Sequence, residues 1–331
     1  YFLQADDGIR ASVASRGLGD VYKRQEWRQD VISSDFNGDN KTDLVSTHTG
    51  EDKIKLLRND GSANFTDNGS VTVGDVPINL ISGDWNSDNQ TDLAVVNRDN
   101  GSVSILQNSS GVFSVSQTLS VSAHPIQIAG GDWDSDNDTD LAVLLRDNTL
   151  VQIWLNGGTG TFSKQTTTYT VGSLPMGMIS GDWNCDGKQD LAVSNSGDNT
   201  LILIYGKGTG EFDTPVTIGS GRGPGALAAA DFDNDSKMDF VVGHHFLVST
   251  NGVSLLTGDF SLTLSDTSSR TGYGSATSFA ATTAKDGSAP AAIVISDVDN
   301  DSKLDILITL PVSKKLAVLS GKLYSGNLSC P

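Results

Sequence analysis

The chain has only two cysteines, Cys185 and Cys330, among 331 residues. Two cysteines cannot form a disulfide framework, so packing, hydrogen bonds or bound metal must hold the fold together. The sequence also has no apolar run long enough to span a bilayer, and no charged and apolar start that reads as a signal peptide. These absences exclude a cystine-rich scaffold and direct insertion into a membrane.

Basic residues are scarce. Lys and Arg total 22 against 40 Asp and Glu, which gives a net charge of -18. Such a surface repels the phosphates of nucleic acids and the head groups of anionic lipids, so neither is an expected partner. Cations are the natural counterpart of this composition.

One nine-residue phrase that begins and ends with aspartate, such as DWNSDNQTD, occurs six times. A proline usually stands seven residues before each copy, and an aromatic residue follows the first aspartate by 29 or 30 residues. A nearly constant period with fixed punctuation indicates one structural unit repeated along the chain. The copies begin at Asp35, Asp84, Asp132, Asp182, Asp231 and Asp297.

Between these fixed points lie four short stretches with strand character, for example PINLISG, DLAVVN, SVSILQN and FSVSQTLSV. They are rich in Val, Ile, Leu, Ser and Thr and show no helical periodicity. Four strands at a period of about fifty residues are typical of a propeller blade. We therefore predict an all-β fold, a β-propeller of four-stranded blades with six blades visible.

The segments ISGDWNSDNQTDLAV and GGTGTF resemble the FG-GAP/VCBS repeat family, and the likeness extends over residues 29–325. The resemblance implies a β-propeller with calcium loops between the first two strands of each blade, as in the integrin α head. It does not imply a particular ligand.

The repeated phrase has the composition of a calcium loop. Calcium takes about six to eight oxygen ligands, and the phrase offers side-chain oxygens at positions one, three, five and nine and a carbonyl at position seven. Position six needs a positive φ and is held by Asn, Gly or Ser. Metal-free Asx-turns are the alternative, but six copies of the full ligand order favour calcium over them. Magnesium is less expected because it prefers strict octahedral geometry with retained waters, and zinc because no cysteine stands near the histidines. The predicted ligands of about six calcium ions are Asp35, Asn37, Asp39, Lys41, Asp43, Asp84, Asn86, Asp88, Gln90, Asp92, Asp132, Asp134, Asp136, Asp138, Asp140, Asp182, Asn184, Asp186, Lys188, Asp190, Asp231, Asp233, Asp235, Lys237, Asp239, Asp297, Asp299, Asp301, Lys303 and Asp305.

Other residues of special type are predicted to be structural. The second loop position holds a bulky apolar residue, Trp85, Trp133 or Trp183 in three units and Val298 in one, which favours packing between blades over a carbohydrate-stacking platform. The histidines, at 48, 124, 244 and 245, have no nearby cysteine and are predicted to be rim or core residues.

The propeller is predicted to occupy residues 26–331. Residues 1–25 match no blade position, and their GDVYKRQ stretch resembles the translation of a sequencing adapter, so we predict a non-native leader. The chain starts at Tyr1 and its sixth unit lacks the expected aromatic, so a fragment of a seven-bladed propeller is expected. Residues 267–289 are small and polar and are predicted to form a long loop.

These observations predict a calcium-stabilised extracellular binding or adhesion module, located outside the cell, on its surface or in the periplasm. Its protein or carbohydrate ligand is expected on the loop face opposite the calcium sites. The sequence has no nucleophile motif and no non-repeated cluster of Lys, Arg, His or Tyr, so we predict that it is not an enzyme. A polysaccharide-lyase-like propeller domain and a propeller lectin are the alternatives.

Overall fold

A computed structural model of the chain describes residues 30–62, 64–121, 124–220, 223–230, 238–244, 253–256, 277–279, 292–296, 305–310 and 315–319. Within these ranges every regular element is a β-strand, which confirms the predicted all-β fold. The described residues include no helix with the length and apolar character needed to cross a membrane.

The strands form antiparallel sheets, each made of strands that follow one another along the chain. Sheets one to five have four strands and sheet six has three within the described residues. Sheet one contains β1 (Val31–Ser34), β2 (Asp43–His48), β3 (Lys53–Asn59) and β4 (Phe65–Thr72); sheet two contains β5 (Pro77–Gly83), β6 (Asp92–Asn97), β7 (Ser102–Ser109) and β8 (Val112–Ser120). Sheet three contains β9 (Pro125–Gly131), β10 (Asp140–Leu145), β11 (Leu150–Asn156) and β12 (Phe162–Thr170); sheet four contains β13 (Pro175–Gly181), β14 (Asp190–Asn195), β15 (Thr200–Ile204) and β16 (Val216–Gly219). Sheet five contains β17 (Pro224–Ala230), β18 (Asp239–His244), β19 (Val253–Leu256) and β20 (Thr277–Phe279); sheet six contains β21 (Ala292–Ser296), β22 (Asp305–Leu310) and β23 (Lys315–Leu319).

The repeated sequence features mark the strand boundaries. The first strands of sheets two to five begin at the repeated proline, which has no N–H to donate and therefore suits the first position of a strand. The second strand begins at the ninth loop residue, and in sheets one to four it is the most deeply buried strand. In β6 and β10 every residue is buried, as the nearly continuous apolar sequence of these strands predicts.

Side chains on the first strands join neighbouring sheets. Asn79 of sheet two donates to Asp30 Oδ2 beside sheet one at 2.6 Å and accepts from the Ile128 amide of sheet three at 2.9 Å. Gln127 of sheet three both donates to and accepts from the backbone of Met178 in sheet four, each at 2.9 Å. These side chains occupy the backbone polar groups of the neighbouring first strand and fix the spacing of the sheets.

The bulky residue at the second loop position packs between sheets. The Trp85 ring meets the Phe162 ring of the next sheet edge-on, with 6.0 Å between centroids. Phe36 and Phe113 repeat this contact at 5.7 Å between sheets one and two. Because Trp85 is only 1% exposed, it cannot be a stacking platform for a sugar, and the predicted packing role is confirmed.

The segment 267–289, predicted to be a long loop, contains one short strand, β20 at Thr277–Phe279, which the sequence analysis did not assign. This strand pairs with β19, with Val253 opposite Phe279 and Leu255 opposite Thr277. Thr and Phe favour strands, and β19 would otherwise be an unpaired edge. The rest of that predicted loop, the leader at 1–25 and the residues after 319 lie outside the described residues.

Candidate metal centre

Four of the six predicted loops are described, at residues 35–42, 84–91, 132–139 and 182–189. Each connects the first and second strands of one sheet, as the family resemblance implies. In the fifth and sixth loops only Met238 and the ninth residues, Asp239 and Asp305, are described, and each of these aspartates begins a second strand. The other predicted ligands of these loops, Asp231, Asp233, Asp235, Lys237, Asp297, Asp299, Asp301 and Lys303, lie outside the described residues.

The first aspartate of each loop closes the turn. Asp35 Oδ1 accepts the Gly38 amide at 2.8 Å, and Oδ2 accepts the Asn40 amide at 2.7 Å. Asp84 makes the corresponding bond to Asn89 at 2.8 Å. Burial opposes ionisation of Asp35, but the backbone hydrogen bonds outweigh it and lower the pKa of this carboxyl. In the first loop, the first predicted ligand is therefore a charged carboxylate held by the backbone amides of the turn.

Each loop turns through two left-handed residues. The predicted positive φ at position six is confirmed in the described loops, and position four, which the sequence analysis missed, has one as well. Gly38 was the signal at position four, because glycine is the residue most at ease there. The position-six φ angles are 61° at Asn40, 63° at Asn89, 70° at Asn137 and 80° at Gly187; those at position four are 77° at Gly38, 58° at Ser87, 63° at Ser135 and 58° at Cys185.

Replacing Gly187 with alanine should lower the free energy of unfolding by about 1 kcal/mol, the usual penalty for a side chain in the left-handed region. A Cβ at this position meets no atom within 4 Å, so the loss would be purely conformational. Gly157 is the matched control, since its Cβ site is equally open and its φ is not positive. Urea unfolding of both variants measures the difference, and equal losses would contradict the assigned turn.

The ninth aspartate is a buried clamp. Asp140 Oδ2 accepts the Trp133 amide at 3.0 Å, and its Oδ1 accepts the Asn156 amide at 2.8 Å. These bonds tie the loop to the end of the third strand, and Asp92 and Asp190 repeat them. Burial raises the pKa of Asp140 to about 7, with further contributions from the nearby charges of the loop, although the two amide bonds oppose the rise.

The third loop brings three carboxylates together. Asp132, Asp134 and Asp136 each offer an oxygen, and these oxygens lie within 4.8 Å of one another. Asp134 Oδ1 is buried and has no hydrogen-bond partner among the residues described. Burial, followed by the charge of Asp136, raises the pKa of Asp134. A set of hard, anionic oxygens with an unsatisfied buried member fits a divalent cation such as calcium.

In the other described loops the seventh side chain contacts the fifth carboxylate. Lys188 Nζ lies 3.4 Å from Asp186 Oδ2, and Gln90 donates to Asp88 Oδ2 at 3.3 Å. Loop three has Asp138 at this position, and a carboxylate cannot neutralise Asp136. From the sequence, residue seven is expected to contribute only its carbonyl, and this expectation does not distinguish loop three from the others.

The described histidines stand apart from the acidic group. His48 Nε2 lies 3.0 Å from Ser46 Oγ at the end of β2, and His124 pairs with Asp147 in the turn of sheet three. His244 is buried at the end of β18, and His245 lies outside the described residues. None of the described three joins the carboxylate group of loop three.

Repeated four-stranded antiparallel sheets with acidic loops after the first strand define a β-propeller repeat protein. The model of the FG-GAP-like repeat matches residues 35–95, 84–143, 132–193 and 182–242, and the chain belongs to this family. No curated protein matches the chain.

Solved structures share the fold at low sequence identity. BBS1N, solved in complex with ARL6DN, is 14% identical with a TM-score of 0.57, and the match covers 92% of this chain and 81% of that one. A functionally unknown protein from Desulfotomaculum acetoxidans is 11% identical with a TM-score of 0.60, covering 90% and 84%. A proposed 6-phosphogluconolactonase from Bacteroides uniformis is 11% identical with a TM-score of 0.61, covering 91% and 85%. These similarities extend to the fold alone.

Proposed function

We propose that this chain is a calcium-stabilised extracellular binding module that recognises a protein or glycan, with no catalytic role for the metal. The observation that carries the proposal is the group formed by Asp132, Asp134 and Asp136, with its buried and unpartnered oxygen. Like charges so close repel one another, and a bound cation removes that repulsion. The repetition of the loop in successive sheets makes the same role general along the chain.

The expected calcium ligands in loop three are the side chains of Asp132, Asp134 and Asp136 and the carbonyl of Asp138. Asp140, at the ninth loop position, is the fifth expected ligand. Its hydrogen bonds to the Trp133 and Asn156 amides hold its side chain in place. When bound, calcium supplies positive charge and cross-links the loop. The first aspartate keeps the turn closed by accepting the amides of residues 136 and 137.

Removing calcium should lower the melting temperature. If millimolar calcium is at one to ten times Kd, as for extracellular modules, linkage gives about 0.4 to 1.4 kcal/mol per occupied site. Thermal unfolding is measured in about 2 mM calcium, a concentration in the extracellular range, and again in excess EGTA. The difference between the two melting temperatures is the effect of calcium. An unchanged melting temperature would overturn the calcium assignment.

Asp134→Asn tests loop three specifically. The variant should lose part of the calcium-dependent rise in melting temperature, because it removes one negative charge from the group formed by Asp132, Asp134 and Asp136. Glu211→Gln is the control, since Glu211 is an exposed acid outside the loops that lies 3.8 Å from Lys207. A full calcium response in Asp134→Asn would contradict the assignment of this loop.

The proposed ligand face is the one opposite the loops, formed by the turns between second and third strands and the connections that lead into each first strand. The Arg98 amide donates to the Val76 carbonyl at 3.1 Å, and the Ser196 amide to the Leu174 carbonyl at 2.9 Å. These bonds make the face a rigid scaffold for recognition. An enzymatic role is not part of the proposal.

The proposal also includes an extracellular, surface or periplasmic location, because these carboxylate loops need calcium above cytosolic levels. The location follows from the repeat and its calcium loops. A complete coding sequence that lacks any export signal would contradict the proposed location.

A further inference from the structure

A groove of about 750 Å³ lies between sheets three and four at the outer rim. One wall is the end of β12, and the other is the outer part of sheet four. Asp198, in the turn between β14 and β15, places the groove beside the proposed ligand face. Its lining is rich in threonine: Thr168, Thr170, Thr200, Thr214 and Thr217, together with Tyr169, Val171, Ile202, Phe212, Pro215, Asp198 and Asp213.

The groove arises where sheet four departs from the repeat. Its outer strand β16 has four residues, whereas β8 and β12 have nine each. Pro215 directly precedes β16, and proline cannot donate a ladder hydrogen bond. The residues before it run irregularly, joined to the sheet by the Gly206–Phe212 bridge and a bond from the Asp213 amide to the Tyr205 carbonyl at 2.8 Å. The rim is therefore left open beside β12.

The preceding junction is closed differently. Between sheets two and three, the Gln117 side chain donates to the Phe162 carbonyl at 3.0 Å and accepts the Phe162 amide at 2.9 Å. At the groove, Tyr169 Oη accepts the Phe212 amide at 2.9 Å, and the two rings meet edge-on at 5.1 Å. The base of the groove is thus formed by two fixed, buried aromatic residues.

The lining offers hydroxyls and carboxylates. Thr200 Oγ1 accepts from Asn195 at 3.4 Å, whereas the other four threonine hydroxyls have no hydrogen-bond partner among the described residues. Asp198 accepts the Ser173 amide at 2.6 Å, and Asp213 lies 3.8 Å from Lys207. No Lys or Arg is among the lining residues. The groove therefore offers hydrogen bonds in both directions and disfavours anions.

We propose that this groove binds a neutral saccharide, an inference that rests on the proposed extracellular binding function and assigns its ligand class. Sugar hydroxyls both donate and accept, so they match threonine hydroxyls and carboxylate oxygens. The absence of lining cations disfavours sulfated, phosphorylated or uronic sugars. The volume falls within the range of about 300–1,000 Å³ that is typical of small-ligand sites.

The test uses the full chain in calcium and saturation-transfer NMR with glucose, galactose, mannose and N-acetylglucosamine, with glucuronate and glucose 6-phosphate as anionic probes. At least one neutral sugar should bind, and Thr168→Trp should weaken its binding at least tenfold by filling the groove. Thr118→Trp is the matched control, because Thr118 is exposed at the corresponding position of β8, opposite Ser104 as Thr168 is opposite Gln152. It should bind as the unmodified chain does.

Thr214→Trp is a second groove variant, for use if Thr168→Trp fails to fold, and melting temperatures identify folded variants. The proposal is overturned if no neutral sugar binds, if a folded groove variant binds normally, or if the anionic probes bind as well as the neutral ones. Melting in calcium and in EGTA is measured on the same samples. A calcium response without sugar binding refutes only the groove, whereas sugar binding without a calcium response refutes only the calcium role.

Discussion

Replacing Asp140 with alanine should strongly destabilise the protein even without metal. The carboxylate accepts the Trp133 and Asn156 amides at 3.0 and 2.8 Å, and the side chain is fully buried. The substitution leaves two buried N–H groups without their acceptor, at about 1–3 kcal/mol each. Asp140→Asn should fail in a similar way, because its amide nitrogen would face a backbone donor. Urea unfolding in EGTA measures the loss with no contribution from calcium.

Asp138→Ala is the control for this prediction. Asp138 belongs to the same loop and is only half-buried, and the clamp to the third strand does not use its carboxylate. In EGTA its stability should stay close to that of the unmodified chain. If Asp140→Ala loses no more stability than Asp138→Ala, the ninth residue is not a structural clamp, and its place in the repeat would be explained by metal binding alone.

The fold could be predicted from the sequence because its information is periodic. Proline at the start of a first strand and aspartate at the start of a second strand recur in register. The strand boundaries assigned in one repeat therefore apply to the others. The register, together with the family resemblance, predicts that the acidic loops lie between strands one and two. Departures from the period are harder to predict. The strand β20 lies within a segment of small and polar residues, where no repeated residue indicates a strand.

The sequence predicts only part of the candidate site, because some of its features depend on contacts between residues that are far apart in the sequence. The metal-ligand order is local and visible in a nine-residue phrase. The clamp made by Asp140 depends on the amide of Asn156, 16 residues away, and the groove beside β12 depends on a short strand in the next sheet. Neither the clamp nor the groove can be predicted from the nine-residue phrase alone.

Another contact of this kind joins the residue just before the loop to the bulky residue at the second loop position. A Cβ added to Gly83 would lie 2.4 Å from Cζ3 of Trp85, and one added to Gly181 would lie 2.4 Å from Cη2 of Trp183. Glycine precedes the loop in the three units that have tryptophan there. The others pair a larger residue with a smaller ring or none: Ser34 with Phe36, Ala230 with Phe232 and Ser296 with Val298.

Gly83→Ala should therefore destabilise the protein by about 1–3 kcal/mol, the usual range for overpacking a core. Trp85 is buried between sheets two and three and contacts Phe162, so its ring has little room to move. Trp85→Phe alone should also lose stability, because it removes buried ring atoms. The double variant should be more stable than the sum of the two losses predicts, since the smaller ring relieves the clash.

The measurement is a double-mutant cycle by urea unfolding, which isolates the coupling between the two positions. Coupling of about 1 kcal/mol or more in favour of the double variant is expected for residues in direct contact. Gly219→Ala is the control, because its Cβ would meet nothing within 4 Å and the change should have little effect. Additive losses at Gly83 and Trp85 would show that the glycine is present for another reason, and that the pairing of glycine with tryptophan in three units does not reflect their packing.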